Sequence, residues 1–329
     1  MAGELWQGIV QAGVETDYGV EVAATRILYA RDPVFTRVRD PRIHKFMTAS
    51  RDNVRNISLG PEQVGGTLTM PVSAEILELL LMGLKGAVSP SSGTSTEWTF
   101  TFTPGTSLNS ATLEWHDGAR EWTITGAYAN SLKIAGSVSG ENLLTAEIFA
   151  KAMAIKAKTG SLTHGVPAVF EGWETAFYLD AAGTALSTAK TGLLLSWDIT
   201  IANGLARKYT AANTLTPSAI TMSELEVTAT LVVEASAAQA ATEYANWDAA
   251  TSRVVGLVFG GNAQIGATGS YETVSLAIPG KWTALDLGQT NENTRAYQLS
   301  CNYVYDAALA YGVSVAVLTA RSAAWADRT

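Results

Sequence analysis

The strongest constraint on the fold is an alternation of apolar and polar residues over short segments rich in Thr, Val, Leu and aromatic side chains. Successive side chains of an extended strand point to opposite faces, so this alternation gives each strand one buried and one polar face. Turn residues separate the segments, which favours antiparallel connections. Many strands are predicted, and examples are 97–103, 111–115, 121–125, 132–138, 193–201, 224–233, 271–278 and 312–319.

Local signals within this pattern predict turns and helices. Asp117-Gly118 and Pro279-Gly280 have the composition of turns between neighbouring strands. Two helices are each predicted to begin at a serine that can cap the first turn, Ser73 and Ser236. The sequence therefore predicts a mainly β fold of packed antiparallel sheets with flanking short helices.

The overall composition excludes several classes of protein. Charged residues make up only 16% of the chain and hydrophobic residues 47%, which indicates surfaces buried by self-association. The net charge of −8 argues against a dedicated nucleic-acid binder. Cys301 is the single cysteine, so no intrachain disulfide forms and a reducing compartment is compatible. No apolar run is long enough to span a bilayer, and the first residues lack the pattern of a signal peptide.

A weak internal repeat is visible when the chain is shifted along itself so that Ser73 lies over Ser236. Strand, helix and turn then fall in the same order in both halves, which indicates two copies of one strand-and-helix unit, residues 1–162 and 163–329. Chance similarity among Thr- and Ala-rich strands is the alternative. The aligned positions are Thr67 with Thr230, Leu68 with Leu231, Ser73 with Ser236 and Leu113 with Leu276.

Residues 31–55 form a basic segment in an acidic chain. They contain seven Lys or Arg against three Asp, and the rest of the chain carries a net charge of −12. An extended arm or hairpin that docks on an acidic surface of a neighbouring subunit is one interpretation. A solvated loop and a contact with nucleic acid are the other two. The candidate inter-subunit arm residues are Arg31, Phe35, Arg37, Arg39, Arg42, Lys45, Phe46, Arg51 and Arg55.

Signatures of enzymatic chemistry are absent from the sequence. The Gly136–Gly140 segment GSVSG has Val138 where a nucleophilic serine would stand, so it is interpreted as a strand ending at a turn. The three histidines are widely separated, and neither a phosphate-binding nor a dinucleotide-binding loop occurs. We therefore predict no catalytic, cofactor-binding or metal-binding residues.

Several acidic residues lie within the apolar strand pattern. Glu224 and Glu226 are two residues apart, which places them on one face if both lie in a strand. Acidic side chains that line a channel repel phosphate groups, and exposure to bulk solvent is the competing interpretation. The candidate lumen-facing acids are Glu114, Glu147, Asp198, Glu224 and Glu226.

Three segments resemble the tail tube proteins of long-tailed phages. The first is VETDYGVEVAATRILY, which begins at Val14 and contains a Glu-x-x-Tyr-Gly stretch. The second is the Gly-rich strand and helix of residues 59–86, and the third is the G-x-x-x-N-S-L stretch of residues 126–132. The resemblance covers most of the first half and is looser in the second, and the basic segment of residues 31–55 is a departure.

This resemblance implies a structural, non-enzymatic virion protein, without cofactors, that is assembled in the host cytoplasm. Its sheets would join between subunits into a β-barrel, and stacked rings would form the tube that delivers DNA to the host. With residues 1–162 as a first tail-tube module carrying the N-terminal arm and 163–329 as a second, three chains would complete a pseudo-sixfold ring. Six chains, each with one tube module and a decorating domain, are the alternative.

The expected partners are further copies of the chain, the tape-measure protein, the tail terminator and tail-tip proteins, with DNA passing through without specific binding. A phage decoration, baseplate or adhesin-type binding module is the competing function. Such a module would attach to an existing lattice and would not polymerise with itself.

Overall fold

A computed structural model describes residues 8–47, 51–86, 91–94, 97–160, 162, 165–212, 214–234, 237–266, 269–291 and 294–322. These residues are mainly β, as the alternating pattern predicted. Strands of the first half are β1 Ile9–Val14, β2 Arg26–Leu28, β3 Arg31–Lys45, β4 Val54–Pro71, β5 Lys85–Gly86, β6 Ser91–Thr94, β7 Glu97–Thr103, β8 Ala111–His116, β9 Glu121–Ser137, β10 Leu143–Ala150 and β11 Ala152–Ile155. Strands of the second half are β12 Ala176–Ala181, β13 Leu194–Ala202, β14 Leu205–Lys208, β15 Ala219–Met222, β16 Glu226–Glu234, β17 Arg253–Gln264, β18 Tyr271–Asn291, β19 Thr294–Tyr303 and β20 Ser314–Thr319.

Two α-helices accompany the strands, α1 Leu77–Gly83 and α2 Ala237–Asp248. A 3-10 turn, Ala74–Ile76, leads into α1, and the Ser73 hydroxyl accepts a hydrogen bond from the backbone N–H of Glu75, as the capping signal predicted. A second 3-10 turn spans Gly172–Glu174. Ser236, the other predicted cap, lies outside the described residues. None of the described helices has the length and apolar character needed to cross a membrane.

Eight strands form a continuous antiparallel wall. In hydrogen-bonded order they are β3, β4, β10, β9, β13, β16, β19 and β18. The two halves of the chain meet inside this wall, where residues 131–137 of β9 pair with residues 196–202 of β13. The wall therefore runs from β3 at one edge to the end of β18 at the other.

Smaller sheets branch from the first parts of β9 and β18. β9 also pairs with β8 and β11, and β1 joins β8 to β2. In the same manner β18 also pairs with β17 and β20, and β12 joins β17. β20 extends this second sheet to β7, while β14 and β15 form a separate hairpin. Apolar side chains between the wall and these layers form one buried cluster that draws on both halves of the chain and includes the leucines and the methionine of α1.

The strand predictions differ from the structure in three places. The predicted strands 121–125 and 132–138 are two parts of the single strand β9. β16 begins at Glu226, so Glu224 precedes the strand. Pro279-Gly280, predicted as a turn, lies inside β18. A Cβ at Gly280 would stand 2.5 Å from the Asn302 carbonyl oxygen, so this glycine permits close strand approach and no turn. Asp117-Gly118 does form the predicted β8–β9 turn, where the Asp117 carboxylate accepts two backbone N–H groups.

Candidate functional site

One face of the eight-strand wall is polar and partly exposed. Side chains of the wall alternate between the buried cluster and this second face, which is rich in Ser and Thr. Its charged residues on β10, β13 and β16 are acidic, and β18 contributes Asp286 together with Lys281. Lys133 on β9 pairs with Asp198 at 2.6 Å. Such a surface can contact a polyanion without holding it, because it offers hydroxyl groups and negative charge in place of clustered cations. Acids of this face are Glu147, Asp198, Glu226, Glu234 and Asp286.

Both edges of the wall lack a neighbouring strand within the described part of the chain. β3 pairs with β4 on one side, and no described strand pairs with its other side. Residues 284–291 of β18 pair with β19 alone among the described strands. Open edges of this length are templates for pairing with another chain.

A long hairpin extends from the first edge. Beyond the part of the wall that β10 covers, β3 and β4 continue as a two-stranded arm, described for residues 39–47 and 51–60. This arm is exposed and carries basic residues together with several large apolar side chains. The exposed apolar residues along the hairpin are Val34, Val38, Ile43, Phe46, Met47, Val54, Ile57 and Leu59. Because soluble monomeric proteins rarely expose so many large apolar side chains together, the hairpin has the character of an interface.

A comparison with protein-family models decides what this architecture belongs to. The family described as "Phage tail tube protein" matches residues 6–293, which is most of the chain. The chain belongs to the phage tail tube protein family. A search of curated proteins finds no match. The chain is therefore a structural component of a phage tail whose subunits self-assemble into a tube.

The tail tube resemblance noted in the sequence corresponds to a packed cluster. The Glu15 carboxylate accepts hydrogen bonds from the backbone N–H of Gly19 at 2.7 Å and of Gly126 at 2.8 Å. It also accepts one from the Thr112 hydroxyl at 2.9 Å. Gly126 has a φ of +66°, and a Cβ there would lie 2.7 Å from the Tyr18 ring. The Glu-x-x-Tyr-Gly and G-x-x-x-N-S-L stretches are therefore in direct contact, which sequence spacing alone did not indicate.

The lumen candidates of this tail tube protein occupy different environments. Glu114 is buried and accepts hydrogen bonds from the backbone N–H groups of Ala24 and Thr159, so it does not line a lumen. Its place on β8, away from the wall, is the reason. Glu147 and Asp198 lie on the polar face, with Glu147 accepting from the Asn130 amide at 2.8 Å.

The two glutamates predicted to share a strand face separate by position. Glu226 is exposed at the start of β16, on the polar face of the wall. Glu224 is exposed but precedes the strand, so the prediction that the two glutamates share one strand face is wrong. Residues 223–225, between β15 and β16, lie outside the strands, whereas the alternating pattern predicted a strand from residue 224.

The basic segment of the tail tube protein is the β3–β4 hairpin, one of the two forms expected for it. Phe35 is buried and packs against Trp115 with ring centroids 5.3 Å apart, so it anchors the hairpin in its own chain and is not available to a neighbour. Arg37 and Arg39 reach the buried Glu62 carboxylate at 2.8 and 2.5 Å. Burial opposes ionisation of Glu62, but both guanidinium groups outweigh it and hold the pKa of this carboxyl below its ordinary value.

The other candidate arm residues either form an ion pair within the chain or are exposed on the arm and at its tip. Arg31 forms an exposed ion pair with Glu141. The other five are exposed on the arm or at its tip: Arg42, Lys45, Phe46, Arg51 and Arg55.

A buried charge cluster, which the sequence analysis missed, joins the end of the described chain to α1. Arg321 is fully buried and contacts Glu75 at 3.1 Å and also Glu78. Arg26 contacts the same two carboxylates at 2.7 and 3.4 Å. Two guanidinium groups thus lie against two carboxylates out of water, and burial holds the pKa of the Glu78 carboxyl above its ordinary value. Arg26, the two glutamates and Arg321 come from three distant parts of the sequence and share no motif, so only the fold brings them together.

Among the described residues, neither Cys301 nor a group of metal-binding side chains forms a reactive or metal-binding site. Cys301 is buried in β19, and burial raises the pKa of its thiol to about 12, so this thiol is inert. Among the described residues, no three His, Cys, Asp or Glu side chains are grouped as a metal site requires. His164 lies outside the described residues.

Proposed function

We propose that this tail tube protein forms closed rings whose polar wall faces line a continuous lumen, and that stacked rings make the conduit through which DNA leaves the virion. The observation that carries this proposal is the eight-strand wall with an open edge at each end. Joining one chain's β3 edge to another's β18 edge satisfies both rows of backbone groups and closes a barrel. The Ser, Thr and acidic side chains of the polar face suit a lumen that DNA slides along without binding.

We further propose that each chain contributes two tail-tube modules, residues 1–162 and 163–329. Support comes from the strand pairings, because the order β3, β4, β10, β9, β8 matches the order β13, β16, β19, β18, β17. A helix follows the second strand in each set, α1 after β4 and α2 after β16. The two halves thus repeat one connectivity.

A shared irregularity supports the duplication at residue level. In the β9–β10 pair Asn130 is an extra residue between the pairs Ser131–Glu147 and Ala129–Ile148. In the β18–β19 pair Thr283 is an extra residue between Ala284–Ser300 and Trp282–Cys301. Adding the same number to every residue number of the β9–β10 set gives the corresponding residue of the β18–β19 set. Bulges are designed features of a fold, so a bulge at equivalent positions is hard to reconcile with chance similarity.

The alignment proposed from sequence needs one change under this scheme. The shift that carries Ser73 to Ser236 also relates β4 to β16, including Leu68 and Leu231. It does not extend to Leu113 and Leu276, because Leu113 is on β8, whose counterpart by connectivity is β17, while Leu276 is on β18. The shift that relates β9 to β18 is smaller, and connections of different length between the strands account for the change.

With two modules per chain, three chains complete a ring of pseudo-sixfold symmetry. A heterologous contact between identical chains closes into a ring when the rotation that relates them divides a full turn without a translation, and rings stack through their opposite ends. Such a tube would be assembled in the host cytoplasm, with the tape-measure protein inside and terminator and tail-tip proteins at its two ends.

Electron microscopy of tails and of concentrated purified protein tests this proposal. We expect hollow tubes whose rotationally averaged rings contain three chains and six similar lobes. Rings of six chains would contradict the duplication and retain the conduit. Persistent monomers that are absent from the tail tube and decorate another surface would contradict the conduit itself.

A further inference from the structure

The junction between the two halves of the chain is a template for the junction between chains. Within the chain, Lys133 of β9 faces Thr200 of β13, and Ile134 faces Ile199. The constant shift that relates β9 to β18 carries residues 131–133 to 284–286. The pairings of β4 and β16 likewise relate β3 to β13, so that 200–202 correspond to 36–38. Applying both correspondences places the open edge of β18 opposite the open edge of β3.

Apolar side chains at the open edge of β18 are more exposed than their counterparts at the internal junction, as expected of an interface that lacks its second strand. At the internal junction Leu132 and Ile134 are each 1% exposed, because β13 covers them. Their counterparts on β18 are Leu285, which is partly buried, and Leu287, which is 47% exposed. The two leucines border an apolar cavity of about 170 Å³ beneath α2. The β3 strand of a neighbouring chain, placed as β13 is placed at the internal junction, would bury Leu287.

The two helices show the same contrast. Every residue of α1, which lies at the internal junction, is buried. α2, next to the free edge, exposes Tyr244 and Trp247, whose rings contact each other at a centroid distance of 5.6 Å. Exposed aromatic pairs of this kind mark interfaces between proteins. An adjoining chain at the β18 edge accounts for this exposure as well.

The β14–β15 hairpin indicates where the basic arm goes. It continues the β13–β16 hairpin and docks on the first half of its own chain, where Arg207 donates to the Val64 carbonyl at 2.6 Å and Tyr209 to the Glu62 carbonyl at 2.8 Å. The Leu205 N–H donates to the Asn130 side chain at 2.9 Å. These contacts hold the hairpin across the ends of β4 and β9.

The corresponding surface of the second half is acidic. The same correspondences carry Glu62, Val64 and Asn130 to Leu225, Val227 and Thr283. Glu224 and Glu226 flank these positions and are both exposed. The arm that corresponds to the β14–β15 hairpin is the basic one, with Arg42 and Lys45 exposed. Opposite charge on two surfaces that the geometry places together sets both orientation and partner choice.

We propose that residues 36–38 of one chain pair antiparallel with residues 284–286 of a second copy, Thr36 opposite Asp286, and that the basic arm then crosses the second copy's Glu224–Glu226 segment. This proposal rests on the proposed ring function. It deepens that function by naming the two surfaces and their register.

Paired cysteines in assembled tubes test the register. The variant Thr36→Cys with Asp286→Cys places both thiols at exposed positions, where neither substitution disturbs the core. Directly opposed residues of antiparallel strands lie within disulfide reach, roughly 4.5 to 5.5 Å between Cα atoms. Oxidation is expected to give covalent species of two and three chains and no larger species, since three complete a ring. The buried Cys301 stays unreactive, and each single-cysteine variant is the background.

The matched control is Asp40→Cys with Asp286→Cys, which uses the same strand four residues away, a displacement of roughly 13 Å. Tubes that assemble while the Thr36 pair crosslinks no more than this control would overturn the junction and leave the tube function standing. Absence of tubes from the wild-type protein and from phage tails would instead overturn the proposed function.

Charge reversal tests the arm independently of disulfide geometry. Arg42→Glu with Lys45→Glu is expected to raise the concentration needed for tube assembly, and so is Glu224→Lys with Glu226→Lys. Combining all four reversals restores the attraction and should recover assembly. A combined variant that assembles no better than either parent contradicts docking of the arm at this site. Circular dichroism of the unassembled chains establishes that each variant is folded.

Discussion

Removal of the Arg321 guanidinium is expected to destabilise the chain far more than removal of an exposed cation. Arg321 is fully buried between Glu75 and Glu78, and Arg26 is the other guanidinium of the cluster. The variant Arg321→Met keeps most of the side-chain volume and takes away one of the two positive charges. Two buried carboxylates then share the Arg26 guanidinium, and Glu78 loses the charged partner that opposes the effect of burial on its pKa.

The size of this effect follows from burial. Removing one partner of a buried ion pair costs about 3–5 kcal/mol of unfolding free energy, because the remaining charge stays desolvated. The matched control is Lys133→Met, which breaks a 2.6 Å pair with Asp198 whose side chains are nearly half exposed. Exposed pairs contribute about 0–1 kcal/mol, so the control should change stability little.

Urea unfolding followed by tryptophan fluorescence measures both variants, and a double variant tests the cause. Arg321→Met combined with Glu78→Gln removes one charge of each sign and leaves Arg26 facing Glu75. Its cost should therefore be smaller than the sum of the two single costs by more than about 1 kcal/mol, the coupling expected of residues in one network. Additive costs, or an Arg321→Met cost no larger than that of Lys133→Met, would refute the electrostatic reasoning.

Two further predictions concern the motif cluster and the base of the arm. Glu15→Ala should lower the free energy of unfolding in urea by roughly 3 kcal/mol, because three hydrogen-bond donors lose a buried carboxylate acceptor. The control Glu21→Ala, at an exposed position, should be near neutral. Equal costs of the two substitutions would contradict the role of Glu15. For Glu62 the folded-state pKa lies below its ordinary value of 4.5, so its stabilisation is fully present above that pH and is lost as pH falls through the folded pKa. The stability difference between wild type and Glu62→Gln should therefore be constant from pH 7 to about 5 and shrink below 4.5, and a difference that grows on acidification would show that the sign is wrong.

The motifs behind the family resemblance were readable in the sequence, but their contacts were not. Gly126 and Glu15 are separated by more than a hundred residues, and the hydrogen bond between them exists only after β1, β8 and β9 have paired. The cluster of Arg26, Glu75, Glu78 and Arg321 has the same origin. Long-range polar contacts follow from topology, which no local pattern encodes.

Alternating polarity determined the class of fold, because the two-residue period of a strand is written directly into the sequence. The eight segments predicted from it fall on seven strands of the structure, β7, β8, β9, β13, β16, β18 and β20, and a separate capping signal located the serine that begins the first helical segment. The basic composition of residues 31–55 predicted an arm or hairpin as one interpretation, and the weak repeat predicts the two modules that remain a proposal. Each of these signals is local or compositional, so it survives without knowledge of the neighbours in space.

Tertiary structure alone decided which acids face the polar side of the wall and which apolar residues remain at an open edge. Glu114 and Glu147 both lie in strands, yet Glu114 is buried and accepts hydrogen bonds from the segments that carry Ala24 and Thr159, whereas Glu147 lies on the polar face. Pro279-Gly280 has turn composition and lies inside a strand. The physical reason is the same in each case: the environment of a side chain depends on which strands become its neighbours, and strand order is set by the packing of the whole chain.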